Sequence, residues 1–214
     1  MFVIQIDDSG SGSLIGGTCI GLWQPETRKY FYRIIPVSYY NEYNFPRKKY
    51  LDCVIEIVES GFEALSVRQN EKIEVCQGYM FDKLRHWLNQ KNYLWESKQI
   101  IGELQDRVEK TFERYAISLG FPKQYITYTK YPFHFHRILR WVYADYENRS
   151  KLCKVGWKSW QKYGNLPVTI QYETMPDKNY HCLKCGKTLE KNSTVKVLKY
   201  VSNRPNVIYL HEDC

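Results

Sequence analysis

The chain opens Phe2-Val3-Ile4-Gln5-Ile6-Asp7-Asp8-Ser9-Gly10, an apolar strand that runs straight into two carboxylates and a Gly/Ser turn. Ser11-Gly12-Ser13 reverses the direction, and residues 14–23, Leu-Ile-Gly-Gly-Thr-Cys-Ile-Gly-Leu-Trp, read as a second strand. Pro25-Glu26-Thr27 is the next turn and residues 29–36 the third strand. The opening is therefore a three-stranded meander whose first strand ends in acid.

Beyond the meander, Pro46 suits a first helical position and Gly61 a C-terminal cap, with Tyr50, Val54, Ile57 and Val58 as the apolar face between them. Lys72–Cys76 reads as a fourth strand closed by Gly78, and Met80, Leu84, Trp87 and Leu88 mark a second helix. Ile101, Leu104, Val108, Phe112, Tyr115 and Leu119 recur at helical spacing up to Gly120. Residues 125–129 read as a fifth strand. A long helix is expected after Pro132, through Arg137, Ile138, Val142 and Asp145 to about Cys153.

The expected order is β-β-β-α-β-α-α-β-α, and over residues 1–155 it resembles the ribonuclease H-like superfamily, which includes RuvC-type junction resolvases and retroviral-type integrases. The resemblance implies an α/β fold, a mixed five-stranded sheet with flanking helices. It also implies a nuclease chemistry in which carboxylates gather Mg²⁺ or Mn²⁺ for in-line displacement at a phosphodiester. Hard cations need oxygen ligands, so Asp and Glu are the fitting residue types. Asp7-Asp8-Ser9-Gly10 looks like the family's Asp-x-Ser or Asp-x-Gly signature and makes Asp7 the leading ligand, with Asp8 on the opposite side of an extended strand. An Asp that merely opens a Gly/Ser turn has the same sequence. A second carboxylate is expected near the end of the fourth strand. That end is Cys76-Gln77-Gly78, a departure from the pattern, so Glu74 on the strand and Asp82 in the next helix are the substitutes. By resemblance Asp145 is the acid of the last helix, although Arg149 one turn on offers it a salt bridge instead.

Composition points to a polyanion as partner. The 214 residues carry a net charge of +8 and include 19 Tyr and 6 Trp. Residues 121–165 hold nine cations against two anions, interleaved with rings. Phosphates and exposed bases would be met there by Lys130, Arg137, Arg140, Arg149, Lys151, Lys154, Trp157 and Lys158. His134 and His136 are available for phosphate contact or proton transfer, though histidines there also cap or pack. Glycine spacing fits neither a P-loop nor a dinucleotide fingerprint, so no nucleotide cofactor is expected. No stretch approaches the ~20 apolar residues of a membrane helix, and the N-terminus lacks the basic region of a signal peptide. A cytoplasmic location is expected.

Of seven cysteines, Cys19, Cys53, Cys76 and Cys153 lie in apolar contexts and are expected as buried thiols. Cys182-Leu-Lys-Cys185 and His211-Glu-Asp-Cys214 form two pairs, each with two intervening residues. Four such ligands suit a structural Zn²⁺. Residues 194–200 and 206–210 read as strands that bring the second pair back to the first. The module resembles zinc ribbons and treble clefs. The chain is thus expected to divide into residues 1–164, ribonuclease H-like, and 165–214, zinc-binding, with a candidate linker over 165–178. The functional expectation is a metal-dependent nuclease. A non-catalytic zinc-containing nucleic-acid-binding protein is the alternative, and an adaptor that docks protein through the zinc module is a third reading.

Overall fold

The computed structural model describes residues 2–128, 130–175 and 180–214. Strands β1 (Val3–Ser9), β2 (Thr18–Gln24) and β3 (Lys29–Ile35) form the expected antiparallel meander. After helix α1 (Lys49–Leu65), strand β4 (Lys72–Cys76) lies parallel to β1. After helix α2 (Asp82–Gln90), strand β5 (Leu94–Lys98) lies parallel to β4. The sheet order is β3-β2-β1-β4-β5.

Alternation sorts the side chains. Ile4, Ile6, Ile73 and Val75 point to the face covered by α1 and α2 and share a core with Val54, Val58 and Leu84. The opposite face carries Cys19 and Trp23 and is covered by helix α3 (Glu103–Ser118) through Leu104, Val108 and Phe112. β2 is buried along its whole length, which accounts for its nearly continuous apolar sequence.

Three expectations are corrected. The fifth strand is β5, not residues 125–129. Lys123–Thr127 forms the short helix α4, and Thr129 lies outside the described residues. β5 is an edge strand with mostly exposed side chains, so the pairing to β4 defines it and no apolar alternation marks it. The expected long helix stops at α5 (Phe135–Tyr143). Asp145 adopts φ −154°, and α6 (Tyr146–Arg149) restarts in a new direction. Gly61 is no cap. It lies inside α1, where a Cβ would stand 2.7 Å from Leu22 Cδ2 and 3.0 Å from Phe31 Cδ1, and the helix ends at left-handed Ser66 (φ 56°). Gly61→Ala is expected to lower stability by about 1 kcal/mol, because overpacking of 1–3 kcal/mol outweighs the gain of about 1 in helix propensity. Thermal melting checks this, with Tm falling by roughly 2–4 °C.

The C-terminal half has its own sheet, β6 (Thr169–Thr174), β7 (Thr194–Val201) and β8 (Pro205–His211), antiparallel in that order. Helices α5 and α7 (Lys158–Tyr163) pack on it. Ile138, Trp141 and Val142 share one core with Val195, Val197 and Ile208, so residues on both sides of position 164 are joined by apolar packing. Within the candidate linker, β6 is regular strand, and positions 176–179 lie outside the described residues. No helix among the described residues is long and apolar enough to cross a membrane.

Candidate functional site

The cysteine pairs come together. Gly186 (φ 78°) turns the chain so that its amide donates to Cys182 O at 2.8 Å, closing the first knuckle. The β7–β8 hairpin returns His211 at the end of β8, and Cys214 follows in a turn closed by its amide on His211 O at 3.0 Å. Cys182 Sγ, Cys185 Sγ, a His211 ring nitrogen and Cys214 Sγ all lie within 4.8 Å of one another. His211 Nε2 donates to Thr188 O at 3.2 Å, which leaves Nδ1 as the basic nitrogen, 3.3 Å from Cys185 Sγ. Tetrahedral coordination with metal–ligand bonds of about 2.0–2.3 Å needs donors roughly 3.5–3.8 Å apart, so the cluster is positioned to hold a metal ion. Burial pushes the Cys182 thiol up, but the amides of Cys185, His211 and Lys184 and the His211 ring bring it down to about 7. Cys214 is pushed up to about 11 by burial and by the thiols of Cys182 and Cys185. Crowded thiolates of this kind are relieved by a cation. His181 stands outside the cluster, bridged to Thr188.

The acidic end of β1 is a second concentration of chemistry. Asp7 is buried, and burial raises its carboxyl above the usual range. The Cys76 thiol and the Asp8 amide, which donates to Asp7 Oδ1 at 2.9 Å, oppose this in part, while the charge of Glu109 on α3 adds to it. Asp8 is pushed up to about 6 by burial, against bonds from Ser11, with the Asp7 charge adding and Lys154 opposing. Among the described residues neither carboxylate has a cation within ion-pair distance. Gly10 follows with φ 85° and a Cβ position only 2.1 Å from the Phe112 ring, so the turn that ends β1 admits no side chain.

Lys154 clamps that turn from below. It is fully buried, and its Nζ donates to Gly10 O at 2.6 Å and Thr18 Oγ1 at 3.4 Å. The rings of Tyr40 and Trp157 lie 4.7 and 5.1 Å from it. Burial pushes its ammonium down to about 7 from 10.5, against the charge of Asp8. Between those two values the native state holds fewer protons than the unfolded chain, so this group makes stability rise with pH across that window. Lys154→Met is expected to flatten the rise, as read from urea unfolding at pH 7 and pH 10.

The other predicted acids lie elsewhere. Glu74 sits on β4, where burial would raise its carboxyl but Lys98 Nζ at 2.6 Å and Gln5 Nε2 at 3.0 Å hold it below the usual range. Asp82 is exposed at the start of α2, paired to Arg85 at 2.9 Å. Asp145 lies beside the cysteine knuckle, 3.9 Å from Lys184 and 3.0 Å from Asn148. Asp7, Glu74 and Asp145 are thus not gathered. Among the described residues, the one group of three or more His, Cys, Asp or Glu placed to hold a metal ion is the Cys/His cluster. The reason is packing: α5 joins the second sheet, and α3 is the helix that covers β1. Glu109 is not among the predicted acids, because the apolar spacing of α3 does not say which strand it covers.

Two of the expected phosphate contacts are corrected. Arg149 is buried and donates to the carbonyls of Trp141, Leu183 and Lys184 at 2.7, 3.0 and 2.8 Å. Lys154 is internal as described. Charge counted along the chain does not distinguish cations that serve the core from those that face water. Lys130, Lys151 and Lys158 are exposed, while Arg137 and Arg140 flank Tyr125. Trp157 is half-buried and stacks on Lys154 rather than standing free.

Fold and site define the class as an α/β protein with a mixed five-stranded sheet and, in its C-terminal half, a Cys₃His cluster positioned to hold a metal ion. No protein-family model and no curated protein sequence matches the chain.

Proposed function

We propose that the protein hydrolyses phosphodiester bonds of nucleic acid with divalent cations held at the carboxyl end of β1, on a ribonuclease H-like sheet. The observation that carries this reading is the Asp7–Asp8 pair. Two consecutive carboxylates with raised pKa values, neither with an ion-pair partner among the described residues, lie at the end of the central strand, and the charge of Glu109 on α3 adds to the rise at Asp7. Carboxylate oxygens are the donors that Mg²⁺ or Mn²⁺ prefers. The cations, when bound, would supply an activated water and charge stabilisation for the leaving oxygen. The order of elements supports the same reading: meander, helix, strand, helix, strand, helix is the succession that the superfamily implies, with α3 as the last helix.

The ion in the Cys/His cluster is zinc in this proposal, because three thiolates and an imidazole are its preferred tetrahedral set. Four protein ligands leave no open position, so its role is structural. The test of function is cleavage of labelled single-stranded, duplex, hybrid and junction substrates with Mg²⁺ or Mn²⁺, in the wild type and in Asp7→Asn. A second reading, binding without cleavage, is favoured by Glu74 and Asp145, which are occupied by Lys98 and Lys184. Undiminished binding with no cleavage of any substrate selects it.

A further inference from the structure

Two cavities meet at Tyr125 in the C-terminal half. One, of about 380 Å³, is lined by Lys130, His134, His136, Arg137, Arg140 and Arg204 around the Tyr125 side chain. The other, of about 520 Å³, runs from Tyr125 past Tyr128, Trp141 and Arg149 to the Cys182–Cys185 knuckle. Both volumes fall in the range of small-ligand sites. Among the described residues no Asp or Glu lines either one.

The two cavities differ in character. The first presents four cations. The Arg137 guanidinium lies 5.6 Å from the Tyr125 ring, and Arg204 sits on the exposed β7–β8 turn. Arg137 and Arg140 line this cavity with Tyr125, and Arg140 is held there by its bond to Val207 O at 2.8 Å. The second cavity offers the half-buried Tyr125 ring and the exposed Tyr128 ring, while Trp141 in its wall is buried. A cationic trough that opens into an aromatic recess matches a chain of phosphates bearing unpaired bases. A duplex offers no free base face to such a recess.

We propose that this groove binds single-stranded nucleic acid, with phosphates along Lys130, Arg137, Arg140 and Arg204 and one base seated against Tyr125 and Tyr128. The inference rests on the nucleic-acid reading above and places the bound strand on α4, α5 and the β7–β8 turn. The test is fluorescence anisotropy with a labelled single-stranded oligonucleotide and its duplex, without added Mg²⁺ or Mn²⁺. The single strand is expected to bind more tightly than the duplex. Affinity for it should fall with salt at a log–log slope of about −3, from about four phosphates at roughly 0.7 each.

Arg204→Glu is expected to weaken binding roughly tenfold and to flatten that slope by about 0.7 or more. Tyr125→Leu keeps apolar bulk and is expected to weaken binding roughly tenfold with the slope unchanged, the signature of lost stacking. Arg204 lies on an exposed turn, so its variant decides the matter even if Tyr125→Leu alters folding; circular dichroism and metal content monitor that. Tight binding indifferent to both variants overturns this groove and leaves the nucleic-acid reading standing. Preference for the duplex overturns the single-strand assignment. Failure to bind either oligonucleotide overturns both readings.

Discussion

Replacing Cys182 by serine is expected to unfold the C-terminal half of the chain and to leave the five-stranded sheet standing. Cys182 is fully buried within the core that joins Trp141 and Val142 to Val195, Val197 and Ile208. Loss of the thiolate removes one of four ligands and strands the other three in mutual crowding. Apparent binding energies of structural zinc are about 10–16 kcal/mol, so loss of even part of that exceeds the stability of an ordinary domain. The wild type should carry one zinc ion per chain by elemental analysis, and a chelator should reproduce the variant. Hydrogen exchange then reports the pattern: amides of β7, β8 and α5 lose protection while those of β1 and β4 keep it. A zinc-free chain that melts at the wild-type temperature would show the cluster to be incidental.

The second large effect is expected at Asp7. Asp7→Asn removes one ligand oxygen charge from the proposed cation site, and cleavage should fall roughly a thousandfold, the equivalent of several kcal/mol of transition-state stabilisation. The same change should stabilise the metal-free protein, because an amide is cheaper to bury than an unpaired carboxylate. A rise in Tm of a few degrees, about 1 kcal/mol, is the expected reading. Opposite signs for activity and stability separate a catalytic role from simple structural damage.

The pH dependence follows the same logic. Burial pushes the Asp8 carboxyl up to about 6 from the usual 3.8. The native state therefore holds more protons between those values. This group's contribution to stability is present below about pH 4 and is lost as pH rises through 6. Added Mg²⁺ should reverse that loss above pH 6, since cation binding to the native state stabilises by mass action. Melting curves across pH with and without Mg²⁺ check this, and identical curves would remove the cation from the acidic end of β1.

Much of the fold was legible because it is written in local periodicity. The meander, α1, β4, α2, α3 and the β7–β8 hairpin each carry alternating or helical apolar spacing bounded by turn residues. The Cys/His ligands were legible for a related reason: a knuckle is a local chelate, and paired spacings of two residues survive whatever fold surrounds them. β5 escaped because an edge strand needs no buried face. Residues 125–128 misled because Tyr, Ile and Thr favour strands, while α4 packs instead against the second core.

Sequence alone determined that β1 ends in two carboxylates, that two ligand pairs lie at knuckle spacing, and that cations concentrate after residue 121. Only the tertiary structure decided which of these charges share a neighbourhood. It set α3 rather than α5 over β1, so the charge of Glu109 acts on Asp7 while Asp145 is carried off to Lys184. It turned Arg149 and Lys154 inward and left Arg137, Arg140 and Arg204 around Tyr125. The physical reason is range. Periodicity and turn chemistry act within a few residues, whereas helix placement and charge burial depend on contacts between segments tens of residues apart.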